Sequence, residues 1–114
     1  MKELTFGKVW NDVMEALIQD PMVYTLARKK PNKAMAIEDD GIEVLTQRSS
    51  PGSRLVPKWM FEKAVDHLIA HGELTHTILT EELRVMRSAF VMAALAKLDY
   101  IGHEKGRARI FLKV

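Results

Sequence analysis

The sequence predicts an α+β domain, and three observations carry that reading. Apolar side chains recur at helical three-and-four spacing in stretches at 5–19, 57–71 and 86–98. Short runs of β-forming residues flank turn residues in the first half of the chain, with Asp40-Gly41 the clearest turn signal. The last fifteen residues, Tyr100 to Val114, alternate apolar and basic positions around Gly106 in the manner of a hairpin. At 114 residues the chain fits one domain, 1–114, with an N-terminal helix and hairpin over 1–50 and a second part over 57–114.

Helix one is predicted over 5–19, where Phe6, Val9, Trp10, Val13, Met14, Leu17 and Ile18 share a stripe that Asp20-Pro21 ends. Residues 22–27 are rich in β-formers and read as a strand. Residues 28–33 carry four cations, Arg28, Lys29, Lys30 and Lys33, and read as a basic loop in which Pro31-Asn32 form a turn pair. A hairpin follows, with strands at 34–38 and 42–47. The polar segment 48–57, broken by Pro and Gly, reads as a surface loop.

A second helix runs from Pro57 to His71-Gly72 with Met60, Phe61, Ala64, Val65, Leu68 and Ile69 on one side. A short helix follows Thr75, its expected N-cap, with Ile78, Leu79 and Leu83 inward. The last helix, 86–98, is expected to bury Phe90, Val91, Ala94, Leu95 and Leu98 and to turn Ser88, Ala89, Met92, Ala93, Ala96 and Lys97 outward. Three helices followed by a β-wing is the order of a winged helix, a helix-turn-helix with a C-terminal β-wing. The expected fold is that unit plus an N-terminal helix and β-hairpin.

Charge is distributed unevenly along the chain. Residues 84–114 hold seven Lys/Arg against two acids, about +5, and residues 1–83 hold ten against thirteen, about −3, which together make the net +2. A local basic surface suits a polyanion such as DNA. The candidate nucleic-acid contacts are Arg84, Arg87, Ser88, Lys97, Lys105, Arg107 and Arg109, joined by Arg28, Lys29 and Lys30 of the first loop. A helix that reads base edges usually offers Arg, Asn, Gln or Lys, and this one offers mostly small and apolar groups. Its outward residues Ala89, Met92, Ala93 and Ala96 suit close protein packing instead. The alternative reading is therefore a protein-interaction module, a homodimer or an inhibitor of a nucleic-acid enzyme.

The chemistry of an enzyme is not visible. There is no cysteine, hence no thiolate nucleophile or disulfide. Of three histidines weighed for a metal, His67, His71 and His76, the first two, four apart on one helical face, could offer two imidazoles to zinc, but no third ligand follows at a recognised spacing, and His71 also suits a helix C-terminus. The acidic turn Asp39-Asp40 with Glu43 lacks the lysine of a nuclease Glu-x-Lys strand, since Leu45 stands there. Phosphate-loop, nucleophile-elbow and zinc-protease motifs are absent from the sequence. The expectation is a non-enzymatic protein with no cofactor, no metal and no small-molecule substrate. With neither a signal-like start nor a membrane-length apolar run, it is expected in the cytoplasm without a membrane partner.

Residues 25–47 and 56–95, the latter including Arg87, Ser88, Ala89 and Phe90, together resemble small uncharacterised prokaryotic domains that accompany restriction-type nucleases and helicases. The last fourteen residues resemble winged-helix proteins in general. These resemblances imply a DNA-directed role, as a regulator of transcription or a targeting module in a defence or mobile-element system. They also imply that the presumed recognition helix starts at Arg87.

Overall fold

The computed structural model describes residues 4–26, 29–46, 54–85, 88–104 and 108–113. Its elements run α1 (Phe6–Gln19), β1 (Met22–Tyr24), β2 (Pro31–Glu38), β3 (Gly41–Thr46), β4 (Arg54–Pro57), α2 (Lys58–His71), β5 (Glu73–Thr75), a π-helical turn (Ile78–Glu82), α3 (Ser88–Leu95), β6 (Ile101–His103) and β7 (Arg109–Leu112). The fold is mixed α+β, with two antiparallel sheets. The first has the order β1-β2-β3-β4 and the second β5-β7-β6.

Local chemistry explains the element ends. The Thr5 hydroxyl caps α1 by accepting the Lys8 amide at 3.3 Å. Past the helix, the Asp20 carboxylate accepts the Met22 amide at 3.2 Å, a turn that launches β1. Gly72 closes α2 at φ 81°, a left-handed conformation that a side chain would disfavour, and its amide donates to the Leu68 carbonyl at 2.7 Å. The Thr75 hydroxyl accepts the Ile78 amide at 3.3 Å, the capping role expected of it. Thr75 is at the same time the last residue of the strand β5.

The β2–β3 hairpin forms as expected, but its turn is Asp39-Asp40, with Glu38 paired to Gly41. Gly41 is needed for space rather than for positive φ: a Cβ there would lie 2.7 Å from the Val56 carbonyl oxygen. That close approach comes from β4, which turns part of the expected surface loop into a fourth strand paired with β3 from Gly41↔Pro57 to Val44↔Arg54. The rest of that loop, 48–53, and Gln47 of the expected strand lie outside the described residues. Pro31 and Asn32 open β2 rather than form a turn. Ile18 is 69% exposed, so the last residue of the α1 stripe is not part of the core.

One core joins both halves. Trp10 of α1 meets Phe61 of α2 edge-on with ring centroids 5.2 Å apart, and Phe61 meets Phe90 of α3 at 6.2 Å and 89°. α3 packs against α2, α1 and β1 and is enclosed by them. Phe90, Val91, Ala94, Leu95 and Leu98 are buried as expected, but so are Ser88, Met92 and Ala93. The expected outward face is thus corrected: the N-terminal half covers it. Ala96 is half-buried, and Ala89 is exposed.

Two polar ties hold the C-terminal part to α1. Tyr100 donates its hydroxyl to Asp12 Oδ2 at 2.6 Å, and Lys8 Nζ donates to the same oxygen at 2.7 Å. The lysine and then the phenol hold the Asp12 carboxyl below its ordinary pKa. Burial, and then the adjacent carboxylate, push the Tyr100 phenol well up. Lys97 Nζ donates to Asp20 Oδ2 at 2.9 Å, joining the segment after α3 to the end of α1. Among the described residues no buried polar side-chain atom lacks a partner.

Candidate nucleic-acid interface

The first basic loop is tightly built. The Thr25 amide donates to the Lys30 carbonyl at 3.0 Å, the Lys29 amide donates back to the Thr25 carbonyl at 2.9 Å, and the Lys30 amide donates to the Thr25 hydroxyl at 2.9 Å. From below, Asn32, which is 6% exposed, donates its side-chain amide to the Lys30 carbonyl at 3.2 Å. Asn32 is therefore a brace for the loop. Lys29 sits at φ 55°, a conformation uncommon for a residue with a Cβ. Its side chain is exposed and that of Lys30 half-buried. Arg28 lies outside the described residues.

The wing is anchored to the domain by β5. Thr75 pairs with Arg109, and the His76 amide extends the ladder by donating to the Ala108 carbonyl at 3.0 Å. The Arg109 guanidinium lies 3.3 Å from Glu73 and 3.4 Å from Glu104, with its carbon 5.0 Å from the centre of the Phe111 ring. Arg109 is held by two carboxylates and so serves the wing's own stability. Lys105 and Arg107 lie outside the described residues, next in the chain to Glu104 and Ala108.

Loop and wing meet across a cleft of about 370 Å³. Thr25, Leu26 and Lys30 form its loop wall, His76 and Ala108 its wing wall, and Ala89 and Met92 of α3 its floor. Met92 is only 1% exposed, so the floor belongs to the core. Lys29, next to Lys30, lines a neighbouring, shallower pocket that shares Leu26 with this cleft. Of the basic loop, Lys30 thus lies across one cleft from Ala108 at the foot of the wing.

Lys97 lines the second, shallower pocket together with Lys29 and Leu26. Lys97 is committed to Asp20, and Ser88, 3% exposed, is inside the core. Met92 and Ala93, 1% and 5% exposed, form no external protein face. Arg84, exposed at φ 58°, lies in the connection between the π-helical turn and α3. Arg87 lies outside the described residues. The His67 and His71 rings stack 4.3 Å apart on α2, and the described residues contain no group of three His, Cys, Asp or Glu that could hold a metal. No described helix is long and apolar enough to cross a membrane. Sequence reasoning missed Thr25, Leu26, His76 and Ala108, whose only common property is the three-dimensional cleft.

No protein-family model, no curated protein and no solved structure matches the chain. The functional reading therefore rests on the geometry of this surface.

Proposed function

We propose that the chain is a non-enzymatic DNA-binding protein in which residues 58–113 form a winged-helix unit and the N-terminal half supplies a second phosphate grip. The observation that carries this reading is the cleft that sets loop 25–30 against the wing wall. The element order α2, β5, turn, α3, β6, β7 and the strand order β5-β7-β6 support the winged-helix unit. A further support is that Lys29, in the basic loop, is one of the two described non-glycine residues at positive φ. Backbone strain of this kind costs on the order of 1 kcal/mol and concentrates at functional sites.

With α3 enclosed, binding acts on the phosphate backbone rather than by a helix in the major groove. Such contacts position a protein on a duplex and carry little sequence information. A targeting or regulatory role in a prokaryotic defence or mobile-element system agrees with the resemblance of residues 25–47 and 56–95. The test is fluorescence anisotropy on a random-sequence duplex at several salt concentrations. Replacing Lys29 and Lys30 by alanine, or separately Lys105 and Arg107, should each weaken binding and lower the salt slope by about 1 to 2. Wild-type binding by both double variants would refute the shared surface.

A second reading, a protein-interaction role, moves from α3 to the outer face of the first sheet. Tyr24, Met35, Leu45 and Leu55 are 56, 50, 37 and 45% exposed there. Sedimentation velocity of wild type and Leu45→Glu distinguishes it: association that the substitution abolishes supports it, and a monomer at all concentrations refutes it.

A further inference from the structure

We propose that the cleft between Thr25, Leu26 and Lys30 on one side and His76 and Ala108 on the other accepts a single unpaired nucleotide, its base lying against Ala89 and Ala108 above the buried Met92 and its phosphate on Lys30. The inference rests on the DNA-binding reading above and adds a ligand class to the same surface.

The shape of the site comes first. A volume of about 370 Å³ lies at the small end of the roughly 300–1,000 Å³ usual for small-ligand sites, enough for one ring system rather than an extended chain of them. Among the described residues the interior is apolar: the buried Met92 and Leu26 underlie it, and the small Ala89 and Ala108 form its accessible sides and leave the space open. The cleft's interior therefore suits a flat, weakly polar ring.

The polar groups are few and lie around that interior. The Thr25 hydroxyl accepts the Lys30 amide, so its own proton remains to be donated to a ring acceptor. The His76 side chain is exposed on the opposite wall. The Lys30 ammonium has no ion-pair partner among the described residues, unlike Lys8, Lys97 and Arg109. An unneutralised cation beside an apolar slot selects a ring that carries a negative charge next to it. A nucleotide combines these features, and the site lies where a strand held by the loop and the wing would cross.

A paired base would have to leave its stack, which costs a few kcal/mol, whereas an unpaired terminal base does not. The ligand is therefore an unpaired nucleotide at a duplex end or in a single-stranded stretch. A free mononucleotide has the same chemistry, and competition separates the two sources.

The experiment compares, by anisotropy, a blunt random duplex with the same duplex carrying one unpaired nucleotide at its 3′ or 5′ end. Wild type should bind one of the overhang forms roughly tenfold more tightly than the blunt form, the effect of one well-placed group. Ala89→Trp fills the cleft and should remove that preference, so that the overhang and blunt forms are bound alike. Ala89→Leu is the milder variant, with thermal unfolding confirming that each is folded. Free mononucleotide that competes with the overhang alone would show that the site also takes the nucleotide unattached. Equal binding of blunt and overhang duplexes by wild type overturns the inference and leaves the DNA-binding reading standing. A preference that survives in folded Ala89→Trp places the nucleotide elsewhere and overturns it too. Failure to bind any duplex overturns both.

Discussion

Truncating Met92 to alanine separates an enclosed α3 from an exposed recognition helix. Met92 is 1% exposed on a helix packed by α1, α2 and β1, so removing its side chain deletes buried contacts. Buried Met→Ala changes cost about 2–5 kcal/mol, the spread depending on the cavity left. Here the side chain floors a cleft open to water, which relieves part of the cavity term, so the expected loss is about 2–3 kcal/mol. At about 2.1 cal/mol/K per residue, 114 residues have an unfolding entropy of about 0.24 kcal/mol/K, and Tm should fall by about 8–13 °C. Thermal unfolding followed by circular dichroism, with urea unfolding for the free energy, gives both quantities. A loss under about 0.5 kcal/mol would mean that this face of α3 is open to solvent and would refute the enclosure.

Other consequences are equally measurable. Tyr100→Phe removes the hydroxyl donated to Asp12, a bond to a charged acceptor that is half open to water, and should cost about 1–2 kcal/mol in urea unfolding. The same pair sets a pH dependence with two signs. Asp12 is depressed in the fold from an ordinary 3.8, so its contribution is complete above that value and is lost as the pH falls through the folded pKa. Tyr100 is raised from an ordinary 10.0, so its contribution is complete below pH 10 and is lost as the pH rises. Wild type should therefore lose stability relative to Tyr100→Phe above pH 10, and parallel curves would refute the contact. Gly41→Ala drives a methyl against the Val56 carbonyl and should cost about 1–3 kcal/mol; a neutral result would show that β4 does not lie so close to β3.

How much could be read in advance differs by element. α1 and α2 were legible because each has one apolar stripe and a clear stop, Asp20-Pro21 and Gly72. β4 and β5 were not, because strands of four and three residues are too short for a period and exist only through distant partners, β3 and β7. The enclosure of α3 did leave a trace. From Ser88 to Ala96 no residue is charged, and a helix apolar on all sides is a buried one; reading it as one-sided left Met92 and Ala93 outside. The individual cations of the loop and the wing were visible, but the cleft was not, since Thr25, Leu26, Lys30 and Ala108 converge only through β1, α3 and β5. Lys97 could not be told from a free cation because its partner, Asp20, lies 77 positions away.

The most direct measurement on the central claim is the affinity of the wild-type chain for a random-sequence duplex as a function of salt. Several phosphate contacts from the loop and the wing should give binding at low salt whose logarithm falls linearly with log salt, with a slope of about −3 to −5. No binding at low salt, or binding indifferent to salt, would contradict a phosphate-gripping surface between loop 25–30 and the wing.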